Sequence, residues 1–446
     1  MSQTQSYFPT WRPKDSVGPD VMPDERLPLG QTVLLGFQHV VAMFGATALM
    51  PILMGFDPNL AIFFSGIGTL IFFVATGGRV PSYLGSSAAF VAVVIAATGY
   101  AGTGPNPNVA VALGGIIVAG ALYALVGLVI GLSGYAWIER LMPPVVTGAI
   151  VAAIGLNLAP IATRILSGSA FDTWFGLFTV ALVGLITVYA PGLARRLPIL
   201  IGAGFSYLAY FVLANGLGLA KPIDFSGVAA APWIGLPHFV TPVFEAGAIG
   251  LIAPAFVVLV AENLGHIKAI GAMTSRNLDP WIARAFVGDG VATMVSGALG
   301  GTGVTTYAEN MGVMAMTQIF STLVFVAAGL TAILFGLCPK FGALILTIPT
   351  PVIGGLSVVV FGLIAATAGR IWVQSRTDFS EARNLITVGV ALVLGAGDLT
   401  LKFGAFALGG IGTATFGAIL VYHGLGRRPR AGEPARPATG GPGPGA

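Results

Sequence analysis

The chain has 446 residues, of which 55% are hydrophobic and only 9% charged, with a mean hydropathy of +0.89. An ordinary soluble domain carries about 25% charged residues, so a water-soluble enzyme is excluded and a polytopic membrane protein is implied. A net charge of +4 is no nucleic-acid signature, and the single Cys338 can build neither an intrachain disulfide nor a zinc site with the four scattered histidines.

Residues 1–28 are polar and read as a cytoplasmic tail, since no apolar stretch with a small-residue cleavage site opens the chain. A helix needs about 20 residues to cross the hydrocarbon. Apolar runs at 31–51, 58–77, 84–100, 109–131, 142–160, 173–190, 197–216, 246–267, 283–299, 304–317, 319–338, 350–369, 384–397 and 403–424 give fourteen segments. Those at 84–100, 283–299, 304–317 and 384–397 are short for a full span. Residues 217–245 form an extracytoplasmic connection, and the Gly/Pro/Arg-rich stretch 427–446 reads as a disordered cytoplasmic tail.

With the N-terminus inside, only Arg164, Lys221, Lys340 and Lys402 of the 21 basic residues fall outside. That asymmetry satisfies the positive-inside rule and places both termini in the cytoplasm. Pro143-Pro144-Val145-Val146-Thr147-Gly148 in segment five resembles Pro349-Thr350-Pro351-Val352-Ile353-Gly354 in segment twelve. An odd number of segments, seven, separates the two, so residues 29–216 and 246–426 read as two repeats of inverted topology. Short Gly-interrupted stretches recur in both halves, around Tyr83–Phe90 and Gly300–Gly312. Paired broken segments of this kind point to a transporter binding site.

Ionisable side chains inside a bilayer cost about 2.5–3.5 kcal/mol each and are functional by default. Glu262, in Ala-Glu-Asn-Leu-Gly-His, and Glu309, in Thr-Thr-Tyr-Ala-Glu-Asn, are the two such glutamates. Glu262 and His266 are four apart, on one helix face. Together they can take up and release a proton, or they can be a helix-end pair at the water interface. Before Glu309, Gly300-Gly301-Thr302-Gly303-Val304-Thr305-Thr306-Tyr307 disfavours helix, so extended backbone should give way to a half-helix there. A half-helix start offers N–H donors beside a carboxylate acceptor, which suits the C=O/N–H edge of a uracil or xanthine ring. His39 either joins this site or bonds a neighbouring helix. Asp289, between Gly288 and Gly290 in short segment nine, is a further intramembrane candidate, read as lying at a helix end in preference to the site, with its participation left open. Zinc-protease and phosphate-loop motifs are missing, and no catalytic constellation stands out.

At these residues the sequence resembles the nucleobase–ascorbate transporter family, in its bacterial uracil/pyrimidine permease branch. The resemblance runs over nearly the whole chain, through Gln38-His39, Ala42–Thr47, Tyr83–Ser87, Ala261–His266 and Glu309-Asn310-Met311-Gly312-Val313-Met314-Ala315-Met316-Thr317. It implies an all-α membrane fold of fourteen segments in two inverted repeats, forming core and gate domains, with short strands in segments three and ten. It also implies that Glu262 and Glu309 hold the base, with backbone amides near Ala88 and Ala308, and that His266 bonds Glu262 and shares in proton coupling. Ser87, Tyr307 and Asn310 are further site candidates. A homodimer formed through the gate domain is implied, as is alternating access by movement of the core.

Two departures bear on the substrate: Ala88 stands where some members carry an aromatic, and Phe361 where some carry Tyr. Gln318 follows Thr317 where the family pattern ends in Arg, Lys or Gly. The function expected is proton-coupled import of uracil or a related pyrimidine across the inner (plasma) membrane, with no cofactor beyond the coupling proton. A xanthine or urate permease of the same family is the nearest alternative, and an anion transporter of the sulfate-transporter type is a more distant one.

Overall fold

The computed structural model describes residues 6–14, 20–100, 102, 104–192, 197–404 and 406–426. Among these, eight helices are long and apolar enough to cross a bilayer. A ninth is reached if Thr322–Gly336 and Pro339–Ile345, bent by 84°, form one span. The chain is a multi-pass membrane protein.

Each expected apolar stretch contains helix, with informative differences. The eighth is divided into Ala246–Ile252 and Ala255–Thr274 and runs beyond residue 267. Its polar end persists because Lys268 reaches Asp279 at 2.9 Å and Glu139 at 3.2 Å. The last helix, Gly410–Gly424, starts later than 403. A short hairpin, Leu401–Phe403 with Phe406–Leu408, precedes it, and the Gly410 N–H donates to the Asp398 carboxylate at 3.1 Å.

The N-terminal stretch is not a free tail. Residues 6–14 and 20–28 lie on the helix ends, with Trp11 stacked 5.8 Å from Phe73 and donating its indole N–H to Thr322 at 2.9 Å. Val21 exchanges backbone hydrogen bonds with Gln318 and Phe320, and Asp24 pairs with Arg276 at 2.6 Å. Composition concealed this docking, because the contacts come from aromatic stacking, an ion pair and backbone groups rather than from an apolar run. The expected C-terminal tail, together with Arg195 and Arg196, lies outside the described residues.

The helices pack in two groups. In the first, Val109–Ser133 lies on Ile282–Ala298, and Pro58–Ala75 lies on Thr322–Gly336. In the second, Pro144–Leu166 lies on Thr350–Gln374, and Ala382–Ala396 on Gly410–Gly424. Small residues let these crossings close, as expected where lipid tails offer helices no hydrophobic drive to associate. A Cβ on Gly290 would sit 2.6 Å from the Gly120 carbonyl, and one on Gly66 2.4 Å from that of Gly329.

Between the helices of the first group lie two three-residue strands, Leu84–Ser86 and Val304–Thr306. They are antiparallel, with Leu84 opposite Thr306 and Ser86 opposite Val304. Exposed strand edges are not tolerated at membrane depth, so their backbone groups must find partners inside the protein. The Ser87 N–H donates to the Gly303 carbonyl and the Tyr307 N–H to the Tyr83 carbonyl. On the outer edges, the Leu84 N–H donates to the Thr69 hydroxyl at 2.9 Å. The Thr293 hydroxyl bonds both backbone groups of Val304, at 2.9 and 3.2 Å.

Candidate substrate site at the crossed strands

Each strand feeds a short helix. Leu84–Ser86 leads into the 3-10 turn Ala88–Phe90 and the helix Val91–Thr98, and Val304–Thr306 leads into the helix Ala308–Thr317. The two starts differ. The Ser87 hydroxyl caps the first by accepting from the Ala89 N–H at 3.2 Å, whereas no side chain caps the helix that opens at Ala308. The opening N–H groups of a helix have no partner within it, and here they stand next to Glu309 in the first turn. Ala308 is exposed, and Ala88, at the facing start, is half-buried.

Glu262 lies well inside the helix Ala255–Thr274 and not near its end. Both Glu262 and Glu309 are half-buried, and they face one another closely enough to interact electrostatically. Among the described residues no other side chain hydrogen-bonds to either carboxylate. The structure therefore places together Glu262, Glu309 and the helix start at Ala308.

His266 departs from expectation. Its Nδ1 lies 2.8 Å from the Thr306 hydroxyl, and no hydrogen bond or ion pair joins it to Glu262 among the described residues. The strand delivers an edge hydroxyl at that spot, and the imidazole takes it in preference to the carboxylate one turn away.

His39 is buried and supports the helix bearing Glu309. The Asn310 amide lies 3.0 Å from its Nδ1 and donates to its carbonyl at 3.0 Å. His39 is thus bonded to a neighbouring helix. Tyr307 is buried and donates its hydroxyl to the Ser86 carbonyl at 2.6 Å, locking one strand to the other. The side chains of Ser87, Tyr307 and Asn310 are thus all engaged in hydrogen bonds within the protein. Phe361 is buried in Thr350–Gln374, and its carbonyl would lie 2.6 Å from a Cβ on Gly155.

Asp289 overturns its expected place at a helix end. It lies inside Ile282–Ala298 with no solvent exposure. Its Oδ2 accepts from Asn263 at 2.5 Å and from Tyr123 at 3.2 Å, while Oδ1 has no partner. The flanking glycines explain the burial. A Cβ on Gly288 would sit 2.8 Å from that of Ala75, and one on Gly290 2.5 Å from the Ala124 backbone, so helices close on both sides of the carboxylate. Asn263 also lies 3.4 Å from the Thr306 hydroxyl. A polar chain thus runs from Asp289 through Asn263 and Thr306 to His266, behind the two glutamates. Asn263, Tyr123 and Thr306 were missed because single amides and hydroxyls carry little sequence signal; Asn263 alone had one, its place beside Glu262.

A family model described as "Permease family" matches residues 30–403. RutG of Escherichia coli (strain K12), provisionally named a pyrimidine permease, is 63% identical over 94% of this chain and 96% of its own length. The uracil permease of Bacillus caldolyticus is 39% identical over 92% and 95%. Among solved structures, the transmembrane domain of a cyanobacterial bicarbonate transporter, BicA, superposes with a TM-score of 0.64 at 18% identity, covering 88% of this chain and 97% of that one. That last likeness is one of fold.

Proposed function

The chain belongs to the nucleobase–ascorbate transporter family, and from that premise we propose that it imports uracil, or a closely related pyrimidine, together with a proton. It is a permease and not an enzyme. The observation that carries the substrate reading is the Glu262/Glu309 pair beside the uncapped helix start at Ala308. A uracil ring alternates C=O and N–H along one edge. The carboxylates accept from its N–H groups, and the backbone N–H groups near Ala308 and Ala88 donate to its carbonyls. Phe361 contributes apolar lining from the second helix group.

Two facing carboxylates repel when both are charged, and a proton on one of them relieves that repulsion. Loading a proton on Glu262 therefore favours docking of the base, with His266 as the neighbouring proton-exchanging group. The relatives' names, pyrimidine and uracil permease, favour a pyrimidine over xanthine or urate. The likeness to an anion transporter extends to fold alone.

Fourteen segments arranged as inverted repeats, 29–216 and 246–426, account for the paired strands and for the matched crossings on either side of them. The first helix group would be the core that carries the base, and the second the gate through which two copies associate. Rocking of one against the other gives alternating access in the inner membrane, with both termini in the cytoplasm. Labelled-uracil uptake challenged with unlabelled xanthine and uric acid tests the substrate. Competition by thymine-like pyrimidines and not by purines is expected, and equal competition by xanthine would contradict the assignment.

A further inference from the structure

A groove of about 750 Å3, lined by neither of the two carboxylates, lies on the outer face of the first helix group. Its walls are the start of the helix Leu29–Met54 and the outer side of Thr322–Gly336. Next to it, at Gly36, a Cβ would lie 2.8 Å from Ala327 and Ala328. The two helices are thus in backbone contact there, and a trough remains above the line of contact.

The trough is apolar along its length and basic at one end. Leu29, Leu330 and Leu334, all on its walls, are 80%, 52% and 69% exposed. From Leu323 to Leu334 the wall runs about 16 Å at 1.5 Å per helical residue, close to half of a hydrocarbon core about 30 Å thick. The groove is therefore about as deep as one leaflet. At its mouth the paired strands Arg12–Pro13 and Glu25–Arg26 bring Lys14 and Arg26 together, with the Lys14 N–H donating to the Arg26 carbonyl at 3.0 Å. Lys14 has Glu25 at 3.6 Å and also donates to the Asp20 carbonyl. Arg26 is exposed, and no carboxylate pairs with it among the described residues.

We propose that this groove binds one anionic glycerophospholipid. Its phosphate sits on Arg26, with Lys14 as a second donor, and one acyl chain lies along Val33, Leu330 and Leu334. A guanidinium fits phosphate oxygens two at a time, and basic pockets between helices at a membrane face select anionic headgroups. An apolar trough alone takes any lipid; an unpaired arginine at its mouth selects for charge. The N-terminal strand pair exists only because the chain folds back onto the bundle, so this site also gives that fold-back a use.

The test is thermal melting of the full-length protein in detergent, with added phosphatidylglycerol or phosphatidylcholine of identical acyl chains. Phosphatidylglycerol should raise the midpoint by several degrees more than phosphatidylcholine, in the manner of any ligand bound only by the folded state. R26Q should remove most of that difference. V33W, which fills the trough without altering charge, should remove it too, and both variants should melt like the parent protein in phosphatidylcholine. Equal stabilisation by the two lipids would overturn the proposal, as would a preference kept intact in both variants. Reproduction of the full effect by glycerol 3-phosphate alone would also overturn it, because the trough would then play no part.

Discussion

His266 Nδ1 lies 2.8 Å from the Thr306 hydroxyl, so the helix that carries Glu262 is tied to the strand that leads to Glu309. The same hydroxyl approaches Asn263 Oδ1 at 3.4 Å, making Thr306 the junction between the two halves of the site. Thr306→Val keeps the shape of the side chain and strands a half-buried imidazole and a buried amide oxygen. Leaving a buried polar group unsatisfied costs about 1–3 kcal/mol, so uptake should fall by about fivefold or more at equal protein level. Thr306→Ser should restore most of it. Equal activity of the Val variant would remove the junction from the mechanism.

Glu262 and Glu309 are assigned complementary work. Glu262→Gln should insert and fold normally yet abolish proton-driven accumulation, because an amide cannot exchange the proton. Glu309→Gln should weaken uracil binding by at least tenfold, since half of its acceptor capacity becomes a donor. Equilibrium binding of labelled uracil to the purified variants, measured beside uptake, separates the two effects.

Gly85 has room for nothing larger. A Cβ there would lie 2.6 Å from both the Thr47 hydroxyl and the Tyr307 ring, and Tyr307 is itself fixed to the Ser86 carbonyl at 2.6 Å. Gly85→Ala must therefore shift the strand pair, and transport should be lost even where the protein reaches the membrane. Gly184→Ala, at a position with no atom within 4 Å of an added Cβ, is the control and should transport normally.

Asp289 tests the buried polar chain. Asp289→Asn retains an oxygen that accepts from Asn263 and Tyr123, so the purified protein should keep its melting temperature within a few degrees. Asp289→Leu strands both donors at a site with no exposure and should lose about 2 kcal/mol or more. Size-exclusion profiles and thermal melts of the two variants provide the check.

His39 and Asn310 form a two-point clamp on the helix that bears Glu309. Their alanine variants should each destabilise the protein by about 1–3 kcal/mol. The double variant should cost little more than either one, because residues that share one interaction are not additive. Full additivity in a denaturation series would show that the clamp does not operate as one unit.

The geometry of the candidate site was partly legible in the sequence because intramembrane carboxylates are rare, and the Gly/Thr-rich stretch before Glu309 is a poor helix. Those two features alone located Glu262, Glu309 and the extended strand. What escaped was the pairing of side chains across helices. His266 turned to Thr306 because a strand hydroxyl 40 residues away lies closer than the carboxylate on its own helix, and no spacing rule reports that. For Asp289 the preference for a helix end failed for a related reason: its glycine neighbours look like helix breakers in one dimension, yet in three they let two helices close over the carboxylate. The docked N-terminus was hidden because aromatic stacking and backbone pairing leave no hydropathy trace.

The most direct test of the account is labelled-uracil uptake into sealed vesicles containing only the purified protein, with and without an inward proton gradient. Accumulation above equilibrium that needs the gradient, collapses with a protonophore and disappears in Glu262→Gln is the predicted result. Uptake that ignores the gradient, or coupled uptake by Glu262→Gln equal to that of the parent protein, would contradict it.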